Sequence, residues 1–182
     1  MALIERQVYD IEIGKLIIEP ARINEAKEII NFVKTVDNET DYLTRDTGEF
    51  NISIDEEKEF IRDKEKSSNS IFLTAKVKGK IVGTIGFSGG SLKRYRHKGQ
   101  FGTAILKDYW NYGIGSKILS VMLDWADKNE FKKITLEVDD INEKAIKLYQ
   151  KFGFEIEGKL KHDKYLGNGE YRDSFIMARF KD

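Results

Sequence analysis

Trp110-Asn111-Tyr112-Gly113-Ile114-Gly115-Ser116-Lys117 lies between a strand-like run ending near Leu106 and an amphipathic stretch of helical period. A helix N-terminus presents unpaired backbone N–H groups and a partial positive charge, and glycine lets a phosphate approach the main chain closely. The chemistry on offer is anion binding. Two nucleotide patterns fail at this loop. A dinucleotide fingerprint needs a third glycine where Ile118 stands, and a triphosphate loop needs Gly-Lys-Ser/Thr where the order is Gly115-Ser116-Lys117. Taken alone, the two glycines read equally well as a phosphate cradle or as a plain strand-to-helix turn.

A second group of residues follows downstream, in the segment Asn142-Glu143-Lys144-Ala145-Ile146-Lys147-Leu148-Tyr149-Gln150-Lys151-Phe152-Gly153-Phe154. Together with the glycine loop, this segment resembles the GCN5-related N-acetyltransferase (GNAT) superfamily. That family carries an Arg/Gln-x-x-Gly-x-Gly/Ala loop opening a helix and, one strand later, an Asn-x-x-Ala-x-x-Leu-Tyr-x-x-x-Gly-Phe helix. Order and separation match over roughly residues 99–154, and the preceding elements suit the fold from Leu16 onward. The closing Glu157-Gly158, Tyr171-Arg172-Asp173 and Met177 resemble the branch that contains the ribosomal-protein alanine N-acetyltransferases. One departure is visible: Trp110 stands where the family has Arg or Gln.

The resemblance implies an α/β fold, with helices flanking a mixed, mostly antiparallel sheet of about seven strands, two of which splay apart. It implies acetyl-CoA as co-substrate, no metal, and acetyl transfer to a primary amine of a small molecule or peptide by direct attack in a ternary complex. Carried over residue by residue, Ala104, Ile105 and Leu106 bond the pantetheine arm through their main chain. Trp110, Asn111, Tyr112, Gly113, Ile114, Gly115 and Ser116 hold the pyrophosphate, with Lys117 as an exposed helper. Asn142 reaches the pantetheine arm, although Asn at that point serves equally as a helix N-cap. Tyr149 protonates the departing thiolate, as a phenol near the sulfur can, with packing beside Leu148 and Phe152 as its ordinary alternative. The arriving amine, with a pKa of about 8 to 10, must lose a proton. Glu137 is one candidate base, though its ordinary reading is a solvated or salt-bridged strand carboxylate; Gln100 on the facing strand cannot act as one. Asp139 and Asp140 are expected to attract a cationic acceptor.

These residues need a scaffold, and the bulk composition bounds it. A chain of 182 residues, 40% hydrophobic and 12% aromatic, is long enough for one good core, so one domain over 1–182 is expected. Lys and Arg total 31 and Asp and Glu total 31, so no whole-protein field gathers nucleic acid or anionic lipid. The absence of cysteine removes disulfides and thiolate nucleophiles, and His97 and His162 alone support no metal site. Glu5, Asp10, Glu12 and Glu19 interrupt the first twenty residues where a signal peptide needs an apolar run, so a cytoplasmic protein is expected. The run Lys93-Arg94-Tyr95-Arg96-His97-Lys98 reads by default as a solvated loop, and otherwise as an RNA contact or a guide for the 3′-phosphate of CoA. A homodimer is left open. The rival functional class is a non-catalytic module that binds acyl-CoA or RNA for regulation.

Periodicity predicts the elements. A short strand over 16–19 ends at Pro20, and a helix follows over 21–36. A charged helix over 55–66 turns Phe60 and Ile61 inward. Strands over 71–77 and 80–87 flank a tight hairpin turn at Lys78-Gly79. A strand over 99–106 leads to a helix over 113–129 with Ile114, Ile118, Val121, Met122 and Trp125 on one face. The strand over 133–138 puts Ile134, Leu136 and Val138 on one face and Glu137 on the other. A short helix over 142–152 stops at Gly153, and two closing strands, 154–160 and 171–179, meet through Gly167-Asn168-Gly169.

Overall fold

Alternating apolar residues, punctuated by left-handed turn positions, fold the chain into a sheet with helices on both faces. In the computed structural model, which describes residues 4–181, the strands are β1 (Gln7–Ile11), β2 (Gly14–Pro20), β3 (Ser70–Val77), β4 (Lys80–Gly89), β5 (Lys98–Ile105), β6 (Lys133–Asp139), β7 (Glu155–Gly167) and β8 (Glu170–Phe180). The helices are α1 (Ala26–Glu39), α2 (Ile54–Lys66), α3 (Ile114–Lys128) and α4 (Glu143–Lys151). The strand order is β1-β2-β3-β4-β5-β6-β8-β7. The turn between β3 and β4 has φ of 50° at Lys78 and 81° at Gly79, the left-handed pair a two-residue hairpin requires.

Every neighbouring pair is antiparallel except β5 with β6. Their parallel ladder covers only Lys98–Gln100 against Lys133–Thr135, and beyond it the two strands part. This is the splay expected from the family resemblance, set in a sheet of eight strands rather than about seven.

The sheet's two faces follow from strand alternation. On one face α3 and α4 bury Ile118, Met122 and Trp125 against Leu73, Phe87 and Ile134. On the other, α1 and α2 bury Ile29, Phe32 and Ile61 against Ile81 and Leu106. Each fully buried Ile or Leu contributes about 1.5–3 kcal/mol, so truncating Ile118, which is fully inaccessible, would loosen the seat of α3. No helix among the described residues is long and apolar enough to cross a membrane.

Four sequence expectations change. The β1–β2 hairpin adds a strand that periodicity did not reveal. Helix α1 starts at Ala26 instead of Ala21, because Ala21 still donates to the Phe72 carbonyl at 2.9 Å and a 3-10 turn at Ile23–Glu25 intervenes. Phe60 is 42% exposed, since the inward stripe of α2 runs through Glu57 and Ile61; Phe60 sits at the rim with its ring 5.3 Å from that of Phe72. Finally, β7 continues past Leu160 to Gly167 through an irregular stretch in which His162 has φ 53°. The predicted stop of α4 is present, with Gly153 at φ 83°.

Candidate active site

The split between β5 and β6 exposes main-chain groups in mid-sheet. Leu106 donates its N–H to the Val82 carbonyl on β4 at 2.9 Å. In an antiparallel ladder the bonding direction alternates, so Ala104 also turns its main chain toward β4 while Thr103 and Ile105 turn theirs toward the gap. Of the three residues expected to present main chain there, the geometry singles out Ile105. Thr103 joins it, a residue recoverable from sequence only once the β4–β5 register is known. Its hydroxyl donates to the Thr84 carbonyl at 2.8 Å.

The glycine loop stands at the end of β5 and opens α3. Asn111 and Gly113 have φ of 69° and 75°, and Gly113 is the N-cap, with no side chain bonded to the helix start. Lys117 is the residue that returns its N–H to Gly113, at 3.1 Å, so the N–H groups before it have no intrahelical acceptor. The first turn also carries no acidic residue. By contrast, α2 starts with Ser53 and Glu56 in a reciprocal capping box and three acids in its first turn. The two glycines differ in purpose. Gly113 meets the left-handed backbone, whereas a Cβ on Gly115 would make only an ordinary contact, 3.4 Å from the Leu148 side chain.

Trp110 is half-buried and its indole N–H donates to the Ile105 carbonyl at 2.8 Å. It therefore ties the loop to the strand end instead of placing a cation there. Lys144, on α4, brings its ammonium 3.3 Å from the Asn111 side-chain oxygen and supplies positive charge beside the loop. Lys117 turns away, its ammonium 5.1 Å from the centre of the Tyr9 ring on β1.

Tyr149 projects from α4 to the apex of the split. Its ring packs edge-on against Phe101, the first β5 residue beyond the ladder, at 5.8 Å, and against Phe154 at 6.0 Å. It is 8% exposed, and burial pushes its phenol up to about 12. Its hydroxyl has no hydrogen-bond partner among the described residues. Glu137 lies exposed on β6, on the α1–α2 face and across the split from Tyr149's face. The Asn142 side chain accepts from the Ala145 N–H at 3.2 Å, so it caps α4.

The acetyltransferase (GNAT) family model matches residues 37–154, which contain the glycine loop, the split and Tyr149. This chain belongs to that family. It is 38% identical over 111 residues to the L-amino acid N-acetyltransferase AaaT of Escherichia coli K12, a match covering 60% of this chain and 67% of that protein. The crystal structure of a GNAT-family acetyltransferase from Streptococcus pneumoniae superposes with a TM-score of 0.88 at 33% identity, over 91% of this chain and 99% of that one. The yncA structure from Salmonella typhimurium, solved with its cofactor acetyl-CoA, shares the fold with a TM-score of 0.79 at 17% identity, over 92% and 94% of the two chains.

Two expectations about this GNAT chain's charges are corrected. Asp139 is not free for a cationic acceptor: it is 1% exposed, paired with Arg172 at 3.0 Å and in direct contact with the Lys164 ammonium. Asp140 is likewise taken, by Lys159 at 2.9 Å. The basic run 93–98 precedes β5, while the glycine loop follows it, and eight residues at ~3.3 Å each separate the two ends. At that distance residues 93–98 cannot guide a 3′-phosphate whose pyrophosphate sits at Gly113. Within the run, Lys98 covers the Tyr95 ring at 4.6 Å, and the His97 carbonyl accepts from Lys132 and Lys133.

Proposed function

We propose that the protein transfers the acetyl group of acetyl-CoA to a primary amine in a ternary complex. The observation that carries this reading is the uncapped, acid-free start of α3 at the open end of a split whose apex holds Tyr149. The free N–H groups after Gly113 suit a pyrophosphate. A slender arm bearing amides suits the unpaired main chain of Thr103 and Ile105, which it would bond as an added strand. Asn111, Tyr112 and Ser116 line the same cradle, Ile114, buried in the core, offers it only a main-chain N–H, Trp110 braces it, and Lys144 contributes the cation. Asn142 borders the arm while capping α4.

The amine nitrogen attacks the thioester carbonyl, the carbon–sulfur bond breaks, and the ammonium proton passes to Glu137 directly or through water. Charge gathers on sulfur, and the Tyr149 hydroxyl, unpartnered among the described residues, donates to it. A phenol at about 12 is a weaker acid than a free thiol near 8.5. The same apolar surroundings also raise the thiol, which brings the two closer and makes a strong hydrogen bond, completed by proton transfer, the expected service. No cysteine is present to carry an acyl-enzyme, so direct attack is the natural route.

The amino acid and polyamine acetyltransferases among the relatives make small amines the first acceptors to try. The test is acetyl-CoA-dependent thiol release with a panel of amino acids, polyamines and peptides. Amine-dependent release with intersecting double-reciprocal lines is expected. Parallel lines would remove the ternary complex, and binding without turnover would leave a non-catalytic acyl-CoA module.

A further inference from the structure

Between Glu65 and Asp108 the sequence holds nine Lys or Arg and no acidic residue, an imbalance hidden by the chain's zero net charge. The fold gathers part of it at the end of the sheet opposite the glycine loop. The His97 carbonyl accepts from Lys132 at 2.7 Å and from Lys133 at 3.1 Å, and the Lys132 carbonyl accepts from Lys181 at 3.0 Å. These bonds join the β4–β5 connection, the turn after α3 and the residue after β8 in one surface. Lys93, Arg94, Arg96, Lys98 and Lys132 meet no carboxylate among the described residues, whereas Asp127 and Glu157 nearby are committed to Arg179, Lys181 and Lys133. Among the described residues of these turns, Glu130 is the acid left over.

Apolar side chains stand among these cations. Leu92 is 65% exposed, Tyr95 49% and Phe180 52%. The Lys98 ammonium lies 4.6 Å from the centre of the Tyr95 ring, and that of Lys133 lies 5.3 Å from the centre of the Phe180 ring. The loop is built to hold Leu92 outward. The Tyr95 N–H bonds the Leu92 carbonyl at 2.8 Å, the Gly90 N–H bonds the Lys98 carbonyl at 2.9 Å, and the Asn69 side-chain amide bonds the Gly89 and Gly90 carbonyls, each at 3.3 Å. A Cβ on Gly90 would lie 2.2 Å from the Tyr95 carbonyl oxygen, so the loop closes this tightly only around glycine. Cations beside an exposed leucine and tyrosine match an anionic bilayer. Charge meets the phosphate headgroups, the phenol ring lies at their level and the aliphatic side chain enters the acyl boundary. A nucleic acid fits less well, because it offers Leu92 nothing and the two rings it would stack on already carry a lysine.

We propose that this end of the sheet docks on an anionic lipid bilayer, with Lys93, Arg94, Arg96, Lys98 and Lys132 against the headgroups and Leu92 inserted at the interface. The docking surface does not depend on acetyl transfer. It also leaves the split free: the eight residues of β5, about 26 Å of strand at ~3.3 Å each, separate the surface from the glycine loop. The open end therefore faces water while the protein is docked.

The test is co-sedimentation of the full chain with vesicles of phosphatidylcholine alone and of phosphatidylcholine mixed with phosphatidylglycerol. Attachment to the mixed vesicles only, weakening as salt rises, is expected. Each cation near such a surface is worth about fivefold in affinity, so Lys93→Ala with Arg94→Ala should weaken attachment about 25-fold. Lys27→Ala with Lys34→Ala, the same loss of charge on the exposed face of α1, should leave it unchanged. Because the chain has no cysteine, Leu92→Cys gives a single site for an environment-sensitive dye. Its emission should shift to the blue on the mixed vesicles. Equal attachment to both kinds of vesicle, or to neither, overturns the proposal. Attachment without the shift overturns it too, as does attachment that the α1 pair weakens as much as the Lys93 and Arg94 pair. Tighter binding of single-stranded polyuridylate than of the mixed vesicles would overturn it in favour of a nucleic-acid contact.

Discussion

The indole N–H of Trp110 bonds the carbonyl of Ile105 at 2.8 Å, joining the first residue of the glycine loop to the last residue of the split strand. The tryptophan is thereby a brace between the glycine loop and β5, and the positive charge beside the loop comes from Lys144. Trp110→Phe keeps the ring and loses the bond. We expect about 0.5–1.5 kcal/mol of lost stability and a several-fold rise in acetyl-CoA KM, read by urea denaturation and initial rates. Lys144→Ala should raise the same KM without the stability loss, and that difference should shrink in high salt.

Tyr149→Phe separates chemistry from packing. The hydroxyl has no hydrogen-bond partner among the described residues, so removing it should leave stability unchanged or slightly improved. The same change should lower kcat about 100-fold at saturating substrates if the phenol serves the sulfur. Because the group sits at about 12, the parent enzyme should show no loss of rate from its ionisation below pH 10. Unaltered kcat in the variant would remove the acid role.

Glu137→Gln tests the base through its pH dependence. At neutral pH the amine arrives protonated, and kcat/KM should fall about 100-fold without an acceptor for that proton. Above the amine's own pKa the free base is already present, so the deficit should close. A deficit constant across pH would show that Glu137 only positions the acceptor.

Two carboxylates outside the site should move stability in opposite directions with pH. Glu57, buried on α2 with no ion-pair partner among the described residues, has its carboxyl raised by desolvation above the ordinary 4.5. Its folded form thus favours the proton, and stability is lost as pH rises through the raised value. Glu57→Gln should therefore raise the urea midpoint at pH 7.5, a gain that disappears near pH 4. Asp127 is held below 3.8 by the Arg179 fork, which bonds it at 2.8 and 2.9 Å. Its stability is present at neutral pH and lost as pH falls through the lowered value. Asp127→Asn should cost about 1 kcal/mol at pH 7 and little in acid.

Local pattern made much of this legible. The Lys78-Gly79 turn, the α3 stripe from Ile114 to Trp125 and the β6 alternation all depend on neighbours a few residues away, and all are in place. The β1 strand escaped notice because Gln7–Ile11 leaves most of its side chains half or fully exposed, and only its pairing with β2 holds it. Phe60 misled because α2 spends an inward position on Glu57, which breaks the apolar stripe. At the site, the glycine loop and Tyr149 were readable from their motifs. The brace from Trp110, the main chain of Thr103 and the ion pairs that join Asp139, Arg172 and Asp41 were not, since each depends on a register or on partners up to 131 residues apart in sequence.

Among the described residues, three parallel pairs, Lys98–Gln100 with Lys133–Thr135, are the ladder that stitches β1–β5 to β6–β8. Mechanically the sheet is a zipper closed at one end only. A pull applied across it would load those three pairs first, and residues 39–41, bonded to Lys107 past β5 and to Arg172 on β8, would act as the second fastening. A ligand lying in the gap and bonding main chain on its way would add a further row of stitches. The molecule should then resist tearing and stiffen when loaded, and slacken each time it lets its product go.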